Sequence, residues 1–134
     1  MRKTFLLGLI AILAPLTLSA ESDVKIGKQN ISVKDRRMTP EALWAMGRIS
    51  GYSASPDGSK IVYQVGYYSV KHNKSHHVLY VMNIDGSGKT MLTKSDKNET
   101  DATWFDSETI AFLTGGEIWT MKADGSERKQ LSKT

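Results

Sequence analysis

Leu79-Tyr80-Val81-Met82-Asn83-Ile84-Asp85-Gly86-Ser87 returns 39 residues later as Ile118-Trp119-Thr120-Met121-Lys122-Ala123-Asp124-Gly125-Ser126. The match extends forward, Leu92-Thr93 corresponding to Leu131-Ser132. Upstream, Pro56-Asp57-Gly58-Ser59-Lys60-Ile61-Val62-Tyr63 aligns with Phe105-Asp106-Ser107-Glu108-Thr109-Ile110-Ala111-Phe112 at an offset of 49, so the first copy holds ten extra residues around Ser69 to His77. Each copy contains short runs of branched and aromatic residues, Ile61 to Val65, Val78 to Met82, Ile110 to Leu113 and Ile118 to Met121, which favour strands. Asp57-Gly58, Asp85-Gly86 and Asp124-Gly125 between or beside them are the pairs that tight hairpins prefer, with positive φ expected at their central positions. A unit of about forty residues with about four strands is the pattern of a propeller blade.

The expected fold is therefore all-β: a partial β-propeller of two four-stranded antiparallel blades spanning 48–134, the first from about Ile49 to Thr93 and the second from about Ala102 to Ser132. Propellers close with roughly four to eight blades, so two alone leave open faces and unpaired edges. Ahead of the blades, Thr39-Pro40-Glu41 supplies a capping hydroxyl, a proline at the first helical position and a first-turn acid, with Gly47 at the far end. This predicts one short helix within 39–47, whose Leu43, Trp44 and Met46 would pack on a sheet. Residues 21–38 are rich in charge with scattered Val and Ile, and read as a flexible lead-in.

The first twenty residues have the form of a cleavable signal peptide: Arg2 and Lys3, an apolar stretch from Phe5 to Leu18, and Leu18-Ser19-Ala20 before Glu21. The stretch is short and broken by Pro15, which argues against a permanent membrane anchor and for export to the periplasm or beyond. Removing that segment lowers the formal charge from +4 to +2, too little for the dense basic stripe that nucleic acid requires. The chain contains no cysteine, which excludes disulfides and thiolate metal sites.

Several short motifs imitate chemistry. Gly86-Ser87-Gly88-Lys89-Thr90 resembles the end of a phosphate-binding loop, but Asn83 stands where its first glycine belongs and no helix is expected to follow. Gly51-Tyr52-Ser53-Ala54-Ser55 misses the final glycine of a nucleophile elbow, and Ser53 reads better as a strand residue. His72, His76 and His77 all fall in the ten-residue insertion, expected to be a solvated, flexible hairpin, a poor support for a catalytic base or a metal. Asp96, Glu99 and Asp101 are spaced through a polar linker where charge is the default, not through a calcium loop. Asn73-Lys74-Ser75 and Asn98-Glu99-Thr100 match the glycosylation pattern, which has meaning only in a eukaryotic secretory path. No catalytic, cofactor-binding or metal-ligating residue is assigned, and no cofactor is expected.

Ser55-Pro56-Asp57-Gly58 with Ile61-Val62-Tyr63, and Leu79 to Asn83 with Asp85-Gly86-Ser87, resemble the blade repeat shared by TolB-type propellers and the propellers of the prolyl oligopeptidase family. Met38-Thr39-Pro40-Glu41-Ala42-Leu43-Trp44 with Arg48-Ile49-Ser50 is similar to the start of exported bacterial dipeptidyl-peptidases and acylaminoacyl-peptidases of that family. The resemblance covers about residues 38–134. It implies an amino-terminal propeller that restricts short peptides to a following α/β-hydrolase domain with a Ser, Asp and His triad. That domain and further blades would be the missing partners, and none of the triad residues maps onto this chain. The other implied reading is a non-catalytic TolB-like module that binds a protein.

Overall fold

The computed structural model describes residues 24–133; the expected signal peptide, 1–20, lies outside them. Across the described residues the structure is mostly β, with two four-stranded antiparallel sheets and one short α-helix. Residues 24–38 carry no strand, only a tight turn at Lys34–Arg36. Helix α1 spans Pro40–Ala45, with the Thr39 hydroxyl accepting from the Ala42 N–H at 3.2 Å and Pro40 in the first turn. Only Ala42 of α1 is buried, whereas Leu43 and Trp44 remain exposed. Gly47 is needed for close approach and not as a left-handed cap: a Cβ there would lie 2.8 Å from both Val65 and Tyr67.

The first sheet runs β1 (Arg48–Ala54), β2 (Lys60–Ser69), β3 (Lys74–Asn83), β4 (Thr90–Met91), each strand beside the next. The second repeats that order with β5 (Thr100–Trp104), β6 (Thr109–Thr114), β7 (Glu117–Lys122), β8 (Lys129–Gln130). The insertion is now accounted for: β2 and β3 have ten residues each against six in β6 and β7, and their turn has four against two. It lengthens a regular hairpin, so His76 and His77 belong to a strand and only His72 to the turn. Both inner strands carry a register shift, between Ile49 and Gly51 in β1 and between Thr100 and Thr103 in β5.

Alternation along β2 buries both faces of the first sheet. Val62, Leu79, Val81 and Leu92 pack against Trp104, Ile110, Phe112 and Met121 of the second sheet. The opposite face, Tyr63, Val65, Tyr67 and Val78, is covered in part by Ile26 of the lead-in. The outer face of the second sheet has no such cover. Ile118 and Leu131 are 44% and 56% exposed, while their repeat equivalents Leu79 and Leu92 are fully buried. Leu79→Ala is therefore expected to lower unfolding free energy by about 2–5 kcal/mol, and Ile118→Ala by about 1 kcal/mol or less. Urea unfolding followed by tryptophan fluorescence measures both; equal losses would mean that the second sheet's outer face is buried in solution.

The Asp-Gly turns close differently from the expected pattern. Gly58, Gly86 and Gly125 take positive φ (70°, 84° and 84°), but their aspartates do not. At Asn83 to Ser87 and at Lys122 to Ser126, the glycine N–H bonds back to the carbonyl three residues earlier, giving three-residue loops with the glycine as a bulge. The aspartate serves instead as an acceptor. Asp85 Oδ1 takes the Ser87 hydroxyl at 2.6 Å and its N–H at 2.9 Å, and Asp124 takes the same pair from Ser126. Asp57 accepts from the hydroxyls of Ser55 and Ser59 and from the Ser59 N–H. These serine hydroxyls, followed by the amides, hold all three carboxyls below the ordinary aspartate range. A depressed folded pKa means stability that is complete above the unfolded value near 3.9 and is lost as pH falls through the lower folded values. Asparagine keeps the acceptor without titrating. The Asp57→Asn, Asp85→Asn, Asp124→Asn triple variant is expected to show a flatter fall in urea midpoint between pH 5 and pH 2 than the parent; an unchanged slope would contradict this account.

Candidate functional site

The seam between the two sheets is held by a buried acid. Glu99, in the linker before β5, is only 2% exposed and receives a two-pronged contact from Arg128: Nη1 to Oε1 at 2.6 Å and Nη2 to Oε2 at 3.2 Å. The Arg128 Nη2 also donates to the Leu92 carbonyl at 2.8 Å, and its guanidinium lies 5.2 Å from the Phe112 ring centre. The Thr93 hydroxyl donates to Glu99 Oε2 at 2.7 Å and accepts from the Leu79 N–H at 2.9 Å. One carboxylate thereby joins β3, the end of β4 and the β7–β8 turn. In the second repeat the Ser132 hydroxyl takes the place of Thr93, accepting from the Ile118 N–H at 2.8 Å and donating to Glu117 Oε2.

A second link lies nearer the inner strands. The Gln64 carbonyl oxygen accepts from the Asp101 N–H at 3.1 Å, while its amide nitrogen bonds to the Ser50 hydroxyl at 2.8 Å and to His77 Nδ1 at 3.1 Å. Trp104 Nε1 donates to the Ser53 carbonyl at 3.0 Å. These contacts fix the inner strands side by side, with a groove of about 440 Å³ along Ser50 to Ser53, Gln64 and Asp101 to Thr103. A larger cleft, about 810 Å³, lies elsewhere, between residues 24–29 and the outer face of the first sheet at Tyr67, Val78 and Tyr80.

The structure separates the residues that imitate catalytic motifs. Ser53 is paired with Val62 in β1, whereas His77 faces Gly66, four residues farther along β2 or about 13 Å. His76 and His77 are adjacent strand residues and point to opposite faces, so they cannot share an ion. The His76 ring nitrogens lie 3.0 Å from the Ile26 carbonyl and 3.3 Å from the Lys97 carbonyl. Among the described residues no group of three or more His, Cys, Asp or Glu is placed to hold a metal. The Gly86 to Thr90 stretch leads into β4, and its Gly86 and Ser87 amides are spent on Asn83 and Asp85. Asp101 sits at the β5 register shift with φ 53°, and Asn98 accepts from the His77 N–H at 2.9 Å. Among the described residues no helix is long and apolar enough to cross a membrane.

Comparison with known proteins gives a consistent direction. No family model matches the chain. The chain is 33% identical over 140 residues to dipeptidyl-peptidase 5 of Porphyromonas endodontalis, covering 99% of this chain and 20% of that protein. It is 38% identical over 84 residues to dipeptidyl-peptidase 5 of Porphyromonas gingivalis, covering 60% of this chain and 12% of that protein. The chain thus spans about a fifth or less of the length of these relatives. Among solved structures, an oligogalacturonate lyase in complex with manganese superposes with a TM-score of 0.51 at 15% identity, over 63% of this chain and 28% of the lyase. That likeness concerns the fold alone and supports a β-propeller-like arrangement of the two sheets. The sequence similarity relates this chain to a fifth or less of two proteins named dipeptidyl-peptidase 5.

The Glu99 contact defines a double-mutant test. Glu99→Leu and Arg128→Met are each expected to destabilise, the arginine replacement by about 3–5 kcal/mol because it leaves the buried carboxylate unpaired, and the glutamate replacement by less because the Arg128 side chain is 28% exposed. Glu99→Leu combined with Arg128→Met is expected to cost less than the sum of the two single losses. Additive losses in urea unfolding would show that the two side chains do not act as a pair.

Proposed function

We propose that this chain is the amino-terminal propeller portion of an exported serine exopeptidase of the prolyl oligopeptidase family, gating short peptides to a hydrolase domain that the chain itself does not carry. The carrying observation is the 33% identity to a dipeptidyl-peptidase 5 along nearly the whole chain, together with a repeated four-stranded sheet of blade form. Ile118 and Leu131 support further blades, since their equivalents in the first sheet are buried by exactly the kind of neighbour they lack. The same exposed face favours a second reading, a TolB-like module that binds a protein partner and catalyses nothing.

Reading the coding DNA beyond the Thr134 codon separates the two. Further Asp-Gly-Ser repeats followed by a G-x-S-x-G elbow and a later Asp and His are expected; an immediate stop codon would sink the peptidase reading and leave the binding module. Export is tested on the same gene product, whose mature amino terminus is expected at Glu21 in the periplasmic or secreted fraction.

A further inference from the structure

We infer that the peptide bond between Arg37 and Met38 is a processing site for an endopeptidase whose specificity pocket takes a guanidinium, and that its hydrolysis detaches the lead-in from the first sheet. Four arginines lie among the described residues, and two of them are engaged. The Arg48 guanidinium is held 4.3 Å from the Trp44 ring centre and 4.9 Å from that of Tyr68, and Arg128 is bound to Glu99. The bonds that follow these two run inside sheets, where Arg48 is paired with Gly66 and Lys129 with Thr120. Arg36 and Arg37 differ on each count. Every residue from 28 to 41 is exposed, no strand passes through 24–38, and neither guanidinium has an ion pair or hydrogen bond among the described residues. An acidic pocket recognises a guanidinium by its charge and its planar fork, so these two adjacent arginines are the anchors the fold leaves open to such an enzyme.

The backbone selects which of the two bonds is cut. Endopeptidases take the residues around the scissile bond as an extended strand. Arg36 has φ 56° and follows Asp35 at φ 55° and ψ 25°, two successive non-glycine residues in the left-handed region. Arg37 is already extended at φ −103° and ψ 126°, as is Thr39 at φ −102° and ψ 159°. The turn before the bond is closed by the Arg37 N–H on the Lys34 carbonyl at 3.2 Å and buries no side chain, so opening it costs little. Hydrolysis breaks the bond from the Arg37 carbonyl carbon to the Met38 nitrogen, and water gives a hydroxyl to the carbon and a proton to the nitrogen. The Thr39 cap of α1 lies on the retained side, so the helix and both sheets keep their contacts. The lead-in loses its tether. Ile26 packs on a face flanked by clefts of about 810 and 390 Å³, and its carbonyl meets His76 at 3.0 Å. Contacts so sparse hold a tethered segment but not a separate peptide, which must also give up its translational freedom to stay. This inference rests on neither the peptidase reading nor export.

The chain is incubated with a catalytic amount of an arginine-specific endopeptidase, and the fragments are weighed by intact-mass spectrometry. Among the described arginines the first cut is expected after Arg37, and the product ending in residues 38–134 is expected to outlast its parent by about tenfold or more, because the Arg48 and Arg128 bonds open only with their sheets. A first cut after Arg36, Arg48 or Arg128, or no cut while the unfolded chain is digested, would overturn the inference. Arg37→Gln is expected to slow loss of the lead-in by about tenfold or more. Its far-ultraviolet circular dichroism should be that of the parent, since the replaced guanidinium has no partner among the described residues; an unchanged rate of loss counts against the site. Size-exclusion chromatography of the cut chain then reads the detachment: the body is expected to elute free of the lead-in peptide, and a peptide that stays with it would overturn the release.

Discussion

The arrangement of the two sheets depends on a charge withdrawn from water. Glu99 reaches the seam with its carboxylate almost wholly buried, and both of its oxygens are met, Oε1 by Arg128 and Oε2 by Arg128 and Thr93. Such pairs contribute little net stability compared with an apolar filling, but they penalise any other arrangement heavily. Sliding the second sheet by one residue would strand Glu99 without its arginine and Leu92 without a donor for its carbonyl. The apolar core between the sheets supplies the attraction, and the ion pair selects one docking geometry from those the core would tolerate.

The strands were legible because their signal is local. Branched and aromatic runs bounded by Asp-Gly-Ser turns specify where strands begin and end, and the repeated segment specifies that the second sheet copies the first. The turn type was legible only in part. The composition Asp-Gly suits two-residue loops with both centres at positive φ, but here the serine that follows occupies the carboxylate, which leaves the aspartate in ordinary backbone geometry and the glycine as a bulge. The ten-residue insertion looked like a loop because it is polar. Its residues nevertheless alternate across a two-stranded ladder that extends without interruption from Lys60↔Asn83 to Ser69↔Lys74.

Long-range pairings carried no local mark. Glu99 stands among Asp96, Asn98 and Asp101 in a segment whose composition is that of a solvated linker, and nothing adjacent shows that it turns inward. Its partner is 29 residues away, in the turn before β8, where the equivalent position of the first repeat is Lys89. That lysine-to-arginine difference was the available signal, since a planar fork suits a buried carboxylate better than an ammonium does. Gln64 was equally silent, because a glutamine in a strand implies nothing until its amide is seen between Asp101 and His77. The helix capping at Thr39 was readable, whereas the use of Trp44 to hold Arg48 was not, because packing on an arginine and packing on a sheet demand the same residue type.

The elongated β2–β3 hairpin separates two quantities that usually vary together in a small β unit. Four residues are added to each strand, so the pairing near the turns at Ser59 and Ile84 stays in phase with the second sheet while the far end projects about 13 Å beyond it. The side chains packed between the two sheets, Val62, Leu79, Val81 and Leu92 among them, all lie outside the added residues. Unit height is consequently an independent variable in a stack of such sheets, and a wall taller on one side than the other can be raised around a shared axis without altering the residues that join one sheet to the next.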